Sequence, residues 1–349
     1  MEEKKLTSND LIVSLASDDF RRYFREQVFP HLQPIEESRI KAHEKTKKAL
    51  KISAIVGVVA VVIFVLPMLF TFVTATFSGG KEVSGFAALV IMVVMMPLAL
   101  LPLLIPAAFI VAIIFKFKAA AAKNELKELV RTKIKPVLFS YFGNFRHCNE
   151  PSYTGVEAWT LLRDLKIYPC HDTVVVDDCI EGEYNGLKFK IIELDVSYVT
   201  GSGKSRQIVP VFGGLMLEVD MNKKFTSHTI VKTGGGSVTL GREFLRVNLE
   251  DPEFERIFDV YSTDQVEARY LLTTAFMRRF VELKIAKGRV EAVFWNQKVY
   301  FFVTCGKDMF ELPLDKNVAD MKHYQEILLD FARILRAIDM LKLEQDIGL

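Results

Sequence analysis

"TVVVDDCIEGEYNGLKFKIIELDV", residues 173–196, decides the fold. Its two arms are rich in β-branched and aromatic residues, and Asn185-Gly186 sits between them. Asn-Gly is the pair that a tight hairpin turn selects, because both central residues must adopt positive φ. "IVPVFGGLMLEV" (208–219) and "HTIV" (228–231) repeat the same chemistry between Gly, Asn and Ser clusters. Residues from Thr173 to about Val247 therefore predict an antiparallel sheet of about five strands. Further on, "RVEAVFW" (289–295) and "KVYFFVTC" (298–305), joined by Asn296-Gln297, predict another hairpin.

Helical patterns flank these strands. "TGVEAWTLLRDL" (154–165) carries a capping box, Thr154 with Glu157 three residues on. A last helix spans about residues 319–344. Its seam of Tyr324, Leu328, Phe331, Leu335, Ile338 and Leu341 suits a coiled coil between two copies or a helix laid across the sheet. The second use is favoured, and a homo-oligomer stays open. Residues 118–349 thus form an α+β domain, a mainly antiparallel sheet flanked by helices.

Upstream the chain changes character. Half of its 349 residues are hydrophobic although 25% are charged, because the apolar residues are concentrated. Residues 52–77 and 83–115 contain no charged side chain, and each exceeds the roughly 20 apolar residues that cross a bilayer as a helix. Only "SGGKE" (78–82) separates them, so residues 51–117 read as a transmembrane hairpin. Lys45, Lys47, Lys48 and Lys51 precede the first run, and Lys116, Lys118, Lys123 and Lys127 follow the second. The loop offers Lys81 alone. The positive-inside rule then puts both termini in the cytoplasm of a bacterial inner or plasma membrane. Residues 1–50 form a cytoplasmic helical region. Its stripe of Phe20, Tyr23, Phe24, Val28 and Leu32 suits packing on the C-terminal domain better than lying on lipid, since its polar face carries both signs of charge.

A net charge of +2 argues against a nucleic-acid partner. The four cysteines, Cys148, Cys170, Cys179 and Cys305, form no metal-type spacing and read as cytoplasmic thiols. His147-Cys148 and Cys170-His171 offer two adjacent pairs, a poor arrangement for one tetrahedral ion, so no metal or cofactor is expected. "TGSGKSR" (200–206) ends like a phosphate-binding loop. It lacks the leading glycine and runs into a strand, so a hairpin loop is expected.

The densest acidic stretch is "NLEDPEFERIFDVYSTDQVEARY" (248–270). Asp251 reads as an N-cap with Pro252 at the first helical position, and Phe254, Ile257 and Phe258 share one helical face. Ser262 and Gln265 read as a second capping box, with Asp264 in the first turn and Gln265 and Arg269 as i,i+4 neighbours. Glu250, Asp259 and Glu267 remain candidates for a buried acid/base pair.

This block strongly resembles the signature of an uncharacterised bacterial membrane protein family called domain of unknown function 3137. "LEDPEFERIFDVYSTDQVEARYLLT" (249–273) carries the resemblance, with Glu250, Asp251, Pro252, Phe254, Tyr261, Asp264, Glu267 and Arg269 as its signature positions. "FGGLMLEVDMNKKF…HTIV" (212–231) and "MFELPL" (309–314) are similar to weaker blocks of that family. Gly213-Gly214 and the ending "LKLEQDIGL" depart from its usual text. The resemblance implies an architecture and brings no catalytic residue.

Three functions fit the sequence. The leading one is a membrane-anchored binding or scaffolding module that engages the bilayer and either a protein or anionic lipid headgroups. A cytoplasmic-face enzyme, hydrolase-like and using carboxylates near 250–267, is the rival. An oligomeric channel component is the third, although neither apolar run contains an ionisable residue of the kind that lines ion paths.

Overall fold

The computed structural model describes residues 7–77 and 124–341, leaving out 144, 149–154, 169–170, 235–239, 288, 307–308 and 314–315, with scattered residues between 110 and 121. The chain divides into two units, Met1–Leu32 with Arg131–Leu349, and Gln33–Val130.

Helices α1 (Ser8–Leu15) and α2 (Asp18–Tyr23) lead through one π turn into α3 (Phe29–Phe77). Beyond the second apolar run come α4 (Lys135–Phe139), strand β1 (Phe145–His147) and α5 (Gly155–Leu165). Three strands follow, β2 (Thr173–Tyr184), β3 (Leu187–Thr200) and β4 (Gln207–Asp220), then β5 (Thr229–Thr233) and β6 (Leu245–Arg246). Helix α6 (Pro252–Ile257), β7 (Phe258–Ser262), α7 (Gln265–Leu271) and α8 (Thr274–Lys287) precede the hairpin β8 (Val290–Trp295) and β9 (Lys298–Thr304). Helix α9 (Met321–Leu341) closes the described chain.

In the first unit the strands form one sheet, nine-stranded among the described residues, in the order β1-β2-β3-β4-β9-β8-β5-β7-β6, with every pairing antiparallel. Both turns that the sequence marks are left-handed as required: Asn185 and Gly186 have φ of 52° and 80°, Asn296 and Gln297 of 52° and 61°. The sheet is larger than the sequence suggests because β1 and β7 are short and have no turn signal of their own. One expectation is corrected here. Phe258 does not extend the helix of Phe254 and Ile257; it opens β7, whose alternate residues Phe258, Val260 and Ser262 are buried against β5.

Strand alternation gives the sheet two faces. On one, Ala158, Leu162 and Leu165 of α5 pack against Ile192, Leu194 and Met216. On the other, Phe280 of α8 meets Phe258 and Phe301 at 4.9 and 6.1 Å between ring centroids. The seam of α9 is buried along its whole length, from Tyr324 to Leu341. Its Phe331 packs edge-on against Phe139 and Phe145 of the sheet side, so the stripe serves this unit's own core. The N-terminal stripe joins the same core: Phe24 faces Tyr324 at 5.2 Å, Phe20 faces Tyr141 at 5.0 Å, and Tyr23 donates to the Val137 carbonyl.

In the second unit, α3 continues as a helix to Phe77, and Arg39 donates twice to Glu36 one turn back. Most side chains of 52–77 and nearly all of 83–115 lie outside the described residues. Among the described residues, no helix is long and apolar enough to cross a membrane.

Candidate functional site

The acidic stretch resolves into backbone work. Asp251 caps α6, accepting from the N–H groups of Glu253 and Phe254 at 3.0 and 3.1 Å, with Pro252 at the first turn. Such a cap satisfies amides that have no partner inside the helix. Phe254 is fully buried against Phe258, and Glu255 accepts the Leu249 N–H at 2.8 Å. Asp259 pairs with Arg246 at 3.0 Å.

The second helix start is corrected. Asp264, not Ser262, caps α7, accepting from Val266 and Glu267 at 2.8 and 3.0 Å. Ser262 is unavailable because it is the last residue of β7, paired with Thr229 and fully buried. Its hydroxyl shapes the turn by donating to the Asp264 carbonyl. Glu267 reaches across to the N–H groups of Thr226 and Ser227. Arg269 donates to the carbonyls of Gln265 and Asn248, tying the loop before α6 to α7. Tyr261 is half-buried opposite Ile230, and Glu250 is exposed. The signature is therefore a brace that joins two helix starts and two loops to β7.

Other titratable groups cluster inside the unit. Lys135, Asp178 and His147 form a buried triad: Lys135 is ion-paired to Asp178, whose other oxygen lies 2.7 Å from His147 Nε2. Burial pushes the Asp178 carboxyl up, but the His147 hydrogen bond and the Lys135 charge outweigh it and hold it below the ordinary carboxylate range. His147 Nδ1 is buried without a hydrogen-bond partner among the described residues. On the opposite face, Glu291 accepts the Tyr168 hydroxyl at 2.9 Å and pairs with Arg289 at 3.0 Å. Burial, reinforced by Glu291, drives the Tyr168 hydroxyl well up. His228 is buried beside Phe244 with Nε2 3.1 Å from the Leu165 carbonyl, and burial lowers its pKa to about 4.

The two histidine–cysteine pairs go different ways. His147 is held by Asp178, whereas His171 sits between the carbonyls of Tyr168 and Trp159 at 2.6 and 3.2 Å. Cys170 lies outside the described residues, and among those described no group of side chains is arranged to hold a metal ion. Residues 200–206 form the β3–β4 hairpin loop, with Gly201 and Gly203 at positive φ. Of "TGGGSVTLG" (233–241), residues 235–239 lie outside the description.

Among the described residues, cavities open at the β1–β4 and β4–β9 parts of the sheet, and residues 250–269 line none of those described below. An open groove of about 740 Å³ crosses the ends of β1 to β4 and β9. Among its charges, Arg146 pairs with Glu181 and Lys298 with both Glu218 and Asp220. Burial works against the Lys298 charge, but Glu218 and Asp220 hold the ammonium above its ordinary value.

Two further cavities adjoin one another. An apolar chamber of about 190 Å³ lies between Leu215 and Leu217 of β4, Phe301 and Val303 of β9, Leu283 of α8 and Ile334 of α9. Next to it is a chamber of about 290 Å³ bordered by Asp177, Glu193 and Asp195; Cys305 and Gly306 belong to the walls of both. Glycine is required at Gly214, on the boundary. Gly214 has φ of +152°, and a Cβ there would lie 2.2 Å from the Val303 carbonyl; one on Gly213 would meet the Asp195 carboxylate at 2.8 Å. Sequence reasoning singled out Gly213-Gly214 but not the cavity, whose walls come from distant parts of the chain.

The fold is thus a large antiparallel sheet with helices on both faces. Residues 210–343 match the family described as protein of unknown function (DUF3137), which covers β4 through α9. No curated protein matches the chain. A solved structure, that of the mycobacterial trehalose monomycolate transport factor A, TtfA, is similar at 12% identity over 47% of this chain and 74% of that one. Its TM-score is 0.27, too low to bear on either fold or function.

Proposed function

We propose that this chain is a membrane-anchored binding or scaffolding module whose folded unit works from the cytoplasmic face of a bacterial inner membrane. The observation that carries the reading is the charge pattern around residues 52–77 and 83–115. Both runs are free of charge, their outer shoulders are crowded with lysine, and the loop between them has one. Binding is favoured over hydrolysis because the candidate acid/base carboxylates are otherwise placed: Glu267 holds the backbone amides of Thr226 and Ser227, Asp259 is paired with Arg246, and Glu250 is exposed. The partner is a protein or anionic headgroups brought to the bilayer.

Two fusions at the C-terminus test the anchor. A fluorescent protein that matures only inside the cell should light up, and alkaline phosphatase, active only outside, should stay silent. Phosphatase activity at that end, or loss of residues 131–349 to protease added to intact cells, overturns the reading.

A further inference from the structure

We propose that the tip of the β3–β4 hairpin seats in the headgroup layer of an anionic bilayer. The proposal rests on the reading of this chain as a membrane-anchored binding module and names where that module touches lipid. The hairpin outruns the sheet that carries it. β2 pairs with β3 no further than Ser197, and β9 pairs with β4 no further than Gly214. Beyond those points, residues 198–200 and 207–209 pair with each other alone among the described residues, a ribbon about 10 Å long before the turn. Its root is held firmly: Phe212 stacks on Tyr168 at 5.4 Å and meets Phe302 edge-on at 5.7 Å, and Asp172 accepts the Val199 N–H at 2.6 Å. Its tip is a built turn. Gly201 has φ of 77°, where a Cβ would lie 2.3 Å from the Ser205 carbonyl, and the Ser202 carbonyl accepts from both the N–H and the hydroxyl of Ser205.

The chemistry of this arm selects the partner. Residues 197–212 contain Lys204 and Arg206 and no acid, in a chain whose charges otherwise nearly balance. Both cations are exposed, and neither is in an ion pair among the described residues. Directly behind them, Ile208 is 72% exposed and lies opposite half-buried Val199, with Pro210 exposed two residues on. Cations in front of exposed aliphatic groups match the boundary between phosphates and acyl chains, where basic groups meet negative headgroups and apolar ones leave water. An acidic protein face would answer the charges alone. A bilayer answers both halves, and the uncharged runs 52–77 and 83–115 belong to this same chain.

The test uses the full chain assembled into lipid nanodiscs whose acyl chains carry bromine, a quencher that acts only on contact. Trp159 and Trp295 pack against the core, and neither uncharged run contains tryptophan, so the parent supplies the blank for Ile208→Trp. In discs of phosphatidylcholine with phosphatidylglycerol the added emission should fall by about half, and in phosphatidylcholine alone by about a tenth at most, because each basic group is drawn to a negative surface. Lys204→Glu with Arg206→Glu should bring the anionic discs to the neutral value, and about 1 M salt should do the same by screening. Both changes lie in an exposed turn, so the emission of Trp159 and Trp295 should stay as in the parent. No quenching in the anionic discs overturns the proposal and leaves the arm to an acidic protein. Equal quenching in both discs, or quenching that survives the charge reversal, overturns it as well. A chain that stayed out of the discs would count against the anchor alone, and the same discs added to it would still read the hairpin. A silent hairpin would leave the topology fusions as they are.

Discussion

Residues 250–269 and the β4–β9 end of the sheet make opposite use of acidic side chains. In the first region, several of the acids crowded along the sequence hold backbone amides, at 3.0 Å for Asp251 and 2.8 Å for Asp264, while Asp259 pairs with Arg246 and Glu250 is exposed. In the second, Asp177, Glu193 and Asp195 come from two strands and border an open space. A dense run of carboxylates in sequence is thus spent on architecture, while a sparse set assembled by the sheet frames a cavity. Helix starts demand acceptors because their first amides lack intrahelical partners, so capping accounts for acids wherever two short helices follow closely.

Mutations can break or sharpen that contrast. Phe254→Ala should have the largest effect, about 3–5 kcal/mol of destabilisation in chemical unfolding, since it empties the packed centre of the brace. Lys135→Met follows at about 3 kcal/mol, because it leaves Asp178 buried with only His147 opposite. If either variant unfolds like the parent, the brace and the triad are not what hold these elements.

A pH series comes next. The folded pKa of His228 lies at about 4 against an ordinary 6.5. The unfolded chain therefore takes up a proton that the folded chain refuses. Stability is at its full value above 6.5 and falls as pH drops from 6.5 toward 4, by up to about 3 kcal/mol from this group. His228→Gln should flatten that part of the profile; an unchanged slope assigns it elsewhere.

The caps come last. Asp251→Ala and Asp264→Ala should each cost about 1 kcal/mol, whereas Glu250→Ala should stay within about 0.5 kcal/mol. A Glu250 variant as damaging as Asp251→Ala would mean that this exposed carboxylate has a task beyond helix starts.

Local chemistry made much of this fold legible. Asn185-Gly186 and Asn296-Gln297 announce their turns because positive φ is a property of two residues. The cap of α6 and the seam of α9 were equally plain, each being set within a few turns of chain. What escaped was set at a distance. Phe258 continues a helical stripe on paper and becomes a strand because β5 is there to pair with it, and Ser262 loses its capping role for the same reason. The chambers were illegible because residues 177–195, 213–217, 301–309 and 334–341 meet only after the sheet has formed. Gly213-Gly214 was the trace they left, a departure from the usual text of the resembled family whose meaning depends on the β9 backbone.

The stitching of α1 to α9 has a consequence for biosynthesis. Ser8 donates its backbone N–H to Asp339 and Gln325 donates to the Leu15 carbonyl, so the earliest and latest parts of the described chain complete one another. While the ribosome is still working, Phe20, Phe24 and Val28 have nowhere to hide, and they must wait for nearly the whole message to be read. A nascent chain stalled before α9 would present that greasy strip to chaperones. A version trimmed to begin after the apolar runs would expose the matching strip on α9.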